Sequence, residues 1–201
     1  MTGKTANLDA KRRVGLLGGS FNPAHAGHLH ISTLCLEQLG LDELWWLVSP
    51  QNPLKPTTDM APFNDRLAGA RAMAKSDVRI RVSDAERRHG TRYSVDTVAA
   101  LKAEHPDCAF VWIIGADNLR QMHRWKGWRA LFGAVPIAVF PRAPYSLRAL
   151  GGRAARRFDA ARIPSSRSRR LVNLAAPAWV FLRAPLHGAS ATHIRRQLSD
   201  N

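Results

Sequence analysis

Short apolar runs alternate with helical-period segments along this chain, and that alternation limits its fold more than any other feature. Arg13–Leu17, Leu44–Val48, Val78–Val82, Ala109–Ile114, Val135–Phe140 and Ala178–Leu182 read as strands. Most are apolar nearly throughout, as strands covered on both faces are. Between and after them, His28–Leu39, Phe63–Lys75, Ser94–Glu104 and Ser190–Leu198 read as helices. In the first helix Ile31, Leu34, Cys35 and Leu39 recur at helical spacing. Asn64 or Asp65 stands near the start of the second, and Ser94 is read as the cap of the third. Ser49–Pro62 holds four prolines and reads as a loop. The pattern predicts an α/β fold: a Rossmann-like, doubly wound parallel sheet with helices on both faces. Ligands in such sheets bind beyond the carboxyl ends of the strands, where the strand order reverses.

A length of 201 residues suits one domain, read as 13–201 after a flexible polar tail at 1–12. No apolar run is long enough to span a membrane, and Met1–Arg13 lacks a signal-peptide core. A cytoplasmic protein with no membrane partner is the expectation. Cys35 and Cys108 form no C-x-x-C pair, so they read as buried free thiols. The net charge of +15 suits phosphate-bearing partners, whether nucleotide or nucleic acid. The basic residues are twenty-four Arg and six Lys, a skew that a GC-rich genome also produces, so charge alone decides little. Nine of those Arg lie in Arg142–Arg170, an excursion whose one acid is Asp159. Tyr145 and Phe158 are its only aromatics, too few for a stacking surface, so it reads as a solvated, partly helical excursion with no nucleic-acid partner expected.

The chemistry points to one stretch. Gly18-Gly19-Ser20-Phe21-Asn22-Pro23-Ala24-His25-Ala26-Gly27-His28 follows the first strand and opens the first helix. It is neither G-x-x-x-x-G-K-[ST] nor G-x-G-x-x-G. Gly18 and Gly19 allow close backbone approach and positive φ, leaving the Ser20 and Phe21 N–H groups free to face an anion. Pro23 sits just ahead of the helix, where a missing N–H costs little. His25 and His28, three apart, share one face at the positive end of that helix, and both can meet one phosphate. An imidazolium there can neutralise charge on a pentavalent phosphorus. Gly27 keeps a side chain from crowding the ligand.

The pattern G-x-F-x-P-x-H-x-G-H resembles the signature of the HIGH-type nucleotidyltransferases. Here it reads Gly19-x-Phe21-x-Pro23-x-His25-x-Gly27-His28, a full match. Further segments are similar to those of the bacterial nicotinate-nucleotide adenylyltransferases, over roughly residues 13–199. Ser190-Ala191-Thr192-His193-Ile194-Arg195 resembles the family's I-S-S-T-x-I-R, with Ala189 and Ala191 as departures. Gly115-Ala116-Asp117-Asn118, the Trp125/Trp128 pair and Arg92-Tyr93-Ser94-Val95-Asp96-Thr97 also match. In the last, Arg92 stands where the family has a small residue. Asn52-Pro53-Leu54-Lys55 resembles the loop that carries a lysine, with Leu54 replacing the usual His. Glu86 fits the pattern too, and pairing with an Arg is an equal reading of it.

The resemblance implies an enzyme that transfers AMP from ATP to nicotinate mononucleotide, giving deamido-NAD and pyrophosphate. It implies His25, His28, Arg195 and Lys55 as catalytic residues. It implies Gly18, Gly19, Ser20, Phe21, His25, His28, Asp117, Ser190, Thr192 and Arg195 for ATP. For nicotinate mononucleotide it implies Ser20, Lys55, Ser94 and Trp125, with Trp125 stacking on the pyridine ring; Trp128 reads as core packing. Mg²⁺ is expected to bridge ATP phosphates, mostly with water ligands and without a protein metal site. Three rivals stay open: an adenylyltransferase acting on phosphopantetheine, an RNA-binding protein, and a fragment of an aminoacyl-tRNA synthetase. Oligomeric state and the choice between nicotinate and nicotinamide mononucleotide are not set by these residues.

Overall fold

The computed structural model describes residues 11–51, 60–142 and 146–183. Seven strands form one parallel sheet: β1 Arg12–Gly19, β2 Glu43–Val48, β3 Ile80–Ser83, β4 Cys108–Gly115, β5 Ile137–Phe140, β6 Arg162–Ile163 and β7 Trp179–Phe181. Their order is β3-β2-β1-β4-β5-β7-β6, so the chain winds outward from β1 one way and from β4 the other. The expected doubly wound sheet is present, with its reversal between β1 and β4.

Both faces of the sheet are covered because its strands alternate. Val14, Leu16, Trp45, Leu47, Phe110, Trp112, Ile114, Ile137 and Val139 turn to one buried cluster. Leu17, Leu44, Trp46, Val48, Val111, Ile113 and Phe140 turn to the other. On the first face pack α4 (Ser94–Glu104), α5 (Ala116–Gln121), α6 (Trp128–Ala134) and α8 (Arg153–Arg157), through Val98, Leu101, Leu119, Leu131, Phe132 and Ala155. On the second pack α1 (Ala26–Leu39) and α2 (Phe63–Ala74), through Cys35, Leu36, Leu39, Leu67 and Ala70. Two short helices complete the set, α3 (Ala85–Arg88) and α7 (Ser146–Leu150).

Several boundaries differ from the sequence reading. Val78 is 95% exposed and lies ahead of β3; exposure of an isolated Val costs little, so its β propensity does not extend the strand. Val135 closes α6 and precedes β5. Ser94 is not the cap of α4. Tyr93 holds that position and makes no side-chain bond, and Ser94 is the first helical residue. Asn64 and Asp65 stand in the first turn of α2, near its start as read, and Pro62 precedes it at the cap position. The excursion at 142–170 contains α7, α8 and a 3-10 turn at Asp159–Ala161; a second 3-10 stretch, Ser165–Asn173, runs past its end. Cys35 and Cys108 are buried and free, and burial pushes the Cys35 thiol up to about 12. Among the described residues no helix is long and apolar enough to cross a membrane.

Candidate active site

The glycine-rich stretch lies at the carboxyl end of β1, beside the end of β4, at the point of reversal. Gly18 and Gly19 are the last residues of the strand itself. The positive φ expected of them falls instead on Phe21, at 47°. A left-handed Phe is strained by about 1–3 kcal/mol. What holds it is burial of the ring, 1% exposed, stacked on Trp46 at 5.0 Å and tilted against His28 at 4.7 Å. Gly19 leaves room for the same ring: a Cβ there would sit 3.3 Å from it, a tight contact.

His25 is the N-cap of α1, with an extended backbone, and His28 is the third helical residue. The two imidazoles cap the helix reciprocally. The Gly27 N–H donates to His25 Nδ1 at 3.1 Å, and the His25 N–H donates to His28 Nδ1 at 3.1 Å. The ring centroids are 3.9 Å apart. The pairing read from the spacing is therefore present, through a capping box rather than through two turns of one helical face. With Nδ1 accepting in both rings, a neutral imidazole carries its proton on Nε2. Burial lowers the His28 pKa to about 3, helped by His25 and by the charge of Arg142. In the free protein His28 is thus a neutral donor, not the imidazolium expected from sequence, because desolvation disfavours its charged form.

The unfolded imidazole takes up its proton near the ordinary value of 6.5, the folded one near 3. Between those values the unfolded chain binds more protons, so stability present above pH 6.5 drains away as pH falls toward 3. The urea midpoint is expected to drop steadily from pH 7 to pH 5. In His28→Asn, which cannot titrate, that drop is expected to shrink.

Asp117 lies in the first turn of α5, just past β4. Its Oδ2 accepts from Arg142 at 3.1 Å, while Oδ1 is buried without a partner among the described residues. A Cβ at Gly115 would collide with that Oδ1, so any side chain there would displace the carboxylate. Arg142 follows β5 directly and so belongs to this cluster rather than to the solvated excursion.

A pocket of about 200 Å³ opens at the carboxyl ends of β1 and β4, with Ser20 and Asn118 in its wall but not His25, His28 or Asp117. Gly18, Gly19, Ser20, Ser94, Trp112 and Trp125 line it. Three residues that the resemblance assigns to one nucleotide, Ser20, Ser94 and Trp125, thus face a single cavity. Trp128 packs edge-on against Phe158 at 5.9 Å, as core packing requires. Glu86 also lines the pocket; among the described residues it has no arginine partner, and a bond from Ser49 only partly offsets the burial that raises its pKa. Lys55, Ser190, Thr192 and Arg195 lie outside the described residues.

Arg66 is the residue that sequence reading missed. It is 4% exposed and donates to four carbonyls: Ala61 at 2.9 Å, Ser20 at 2.6 Å, Ser49 at 2.8 Å and Pro50 at 3.0 Å. It ties the segments that follow β1 and β2 to α2. In sequence it is an Arg on the apolar stripe of α2, three residues after Phe63 and four before Ala70, and that placement is the one local sign of its burial.

A parallel sheet with reciprocally capped imidazoles and a pocket at its switch point defines a nucleotide-handling α/β protein. Residues 16–197 match the cytidylyltransferase-like family. The chain is 52% identical over 185 residues to a protein of Parvibaculum lavamentivorans named "Probable nicotinate-nucleotide adenylyltransferase", covering 92% of each chain. It is 50% identical to one of the same name from Caulobacter sp. strain K31, covering 91% of this chain and 96% of that one. The fold is also similar to a solved structure, Plasmodium falciparum nicotinic acid mononucleotide adenylyltransferase complexed with NaAD. The TM-score there is 0.68 at 16% identity, covering 92% of this chain and 83% of that one. The chain belongs to the cytidylyltransferase-like family and, within it, to the nicotinate-nucleotide adenylyltransferases.

Proposed function

We propose that this protein transfers the adenylyl group of ATP to nicotinate mononucleotide. An oxygen of the mononucleotide 5′-phosphate attacks the α-phosphorus in line. The bond from that phosphorus to the β-bridging oxygen breaks, and pyrophosphate leaves as deamido-NAD forms. The observation that carries this reading is the paired imidazole cap of α1 beside a pocket lined by Ser20, Ser94 and Trp125. Catalysis is then positioning plus charge stabilisation, with no covalent intermediate on the protein.

His25 and His28 donate from Nε2 to the phosphate chain at the positive end of α1. The backbone from Gly18 to Phe21 lies under the phosphates. Asp117 Oδ1, buried without a donor, suits a nucleotide sugar hydroxyl, which would relieve its unmet hydrogen bond. Trp125 stacks on the electron-poor pyridine ring. Lys55, Ser190, Thr192 and Arg195 enter on family resemblance, as further phosphate contacts. Among the described residues no group of three or more His, Cys, Asp or Glu is placed to hold a metal ion. Mg²⁺ is proposed to arrive with ATP, held mostly by phosphate oxygens and water, and would supply positive charge to the leaving pyrophosphate.

The test is pyrophosphate release from ATP and Mg²⁺ with nicotinate mononucleotide or phosphopantetheine as acceptor. Release with the mononucleotide alone is expected. Release with phosphopantetheine alone, or with neither, overturns the reading.

A further inference from the structure

The pocket wall carries more positive charge than the roles above use. Arg92, Arg124 and Lys126 all line it and all are exposed. Among the described residues none of them forms an ion pair. The one carboxyl side chain in the lining, Glu86, is 9% exposed, and its burial favours the neutral form, so it offsets little of that charge. A pocket built to receive only a neutral ring would have no use for three unneutralised cations in its wall.

Position separates the three. The Lys126 ammonium sits over the Tyr93 ring, 4.5 Å from its centroid, and is engaged there. Arg124 ends the 3-10 turn Met122–Arg124, on the side of the pocket that carries Trp125. Arg92 stands two residues before α4, and Tyr93 leaves that helix without a side-chain cap. Arg92, Tyr93 and Ser94 all line the cavity. A guanidinium fork and the positive end of an uncapped eleven-residue helix therefore share one wall. A planar carboxylate suits both: it accepts two parallel bonds from a guanidinium and is favoured at a helix start. A carboxamide carries no charge and offers a single acceptor atom.

We propose that Arg92 selects nicotinate mononucleotide over nicotinamide mononucleotide, its guanidinium pairing with the pyridine carboxylate at the start of α4. This rests on the acceptor reading given above. It also gives a role to the residue at which this chain departs from the small side chain of the family pattern.

The two mononucleotides share ribose and phosphate, so they separate a carboxylate contact from a phosphate contact. The experiment measures KM and kcat for nicotinate mononucleotide, and the same constants or an inhibition constant for nicotinamide mononucleotide, in wild type, Arg92→Ser and Arg92→Lys. In Arg92→Ser, KM for the nicotinate form is expected to rise about ten- to a hundredfold. Its kcat, the KM for ATP and the constant for the nicotinamide form should each move less than about twofold. Arg92→Lys keeps the charge without the fork and should recover part of the loss. Equal losses for both mononucleotides would put Arg92 on the shared phosphate and overturn the proposal. No loss for either overturns it too. Should the wild type release pyrophosphate with neither mononucleotide, the acceptor reading itself fails. Quenching of tryptophan fluorescence by each mononucleotide without ATP then still reads the selectivity. Failure of Arg92→Ser to weaken the nicotinate form alone in that titration overturns the proposal independently.

Discussion

Replacing His28 by alanine is expected to slow pyrophosphate release about a hundred- to a thousandfold while the chain stays folded. The rate loss follows from removing one oriented donor to phosphate charge that builds up in the transition state, worth that much where water is excluded. The His28 ring is held for this task by Phe21, His25 and Trp46, with centroids 4.7, 3.9 and 5.8 Å away. Alanine also removes the acceptor of the His25 N–H, at a cost of about 1 kcal/mol for one lost cap. His28→Asn separates the two effects. Its side-chain oxygen can accept the same N–H and restore stability, yet it does not return the Nε2 donor. A turnover within fivefold of wild type in His28→Ala, at saturating ATP, would remove His28 from the mechanism.

Arg66→Met is expected to be the most destabilising single change near the site, lowering stability by about 3–5 kcal/mol. Methionine fills much of the space, but it leaves the carbonyls of Ser20, Ser49, Pro50 and Ala61 without their donor in a region where Arg66 itself is 4% exposed. For a chain of this size that is a fall in melting temperature of about 10 °C. Arg66→Lys should recover only part of it, because one ammonium cannot reach four carbonyls that a planar guanidinium spans. The Ser20 carbonyl belongs to the turn under the proposed phosphate site, so both variants should also raise KM for ATP. A melting temperature within 2 °C of wild type in Arg66→Met would show that the four bonds hold nothing together.

Different parts of the molecule were legible in sequence to different degrees, and the reasons are physical. Six of the seven strands were readable because a parallel sheet buries both faces and so writes continuous apolar runs, as in Phe110–Ile114; β6, two residues inside the Arg-rich excursion, writes no such run. The short helices α3, α5 and α6 were not read. Each is four to seven residues long, too short for a helical period to stand out, and is held by packing onto the sheet rather than by its own propensity. Ser94 was misread as a cap because Ser favours that position, while the chain enters α4 one residue earlier through Tyr93.

By itself, the order of residues determined the kind of fold and the place of the site. Apolar periodicity is a local property. So is the spacing of Gly18, Gly19, His25 and His28, which fixes what can cap a helix start. Tertiary structure alone decided what those groups are once in place. Strain went to Phe21, not to the glycines, because Trp46 from β2 stacks on its ring. His28 became a neutral donor because residues distant in sequence, Trp46 and Arg142 among them, surround it. Among the described residues Asp117 kept a buried oxygen without a donor, and Arg66 became a buried staple. Burial and field at His28 depend on Trp46 and Arg142, 18 and 114 residues away in sequence, and no local pattern records them.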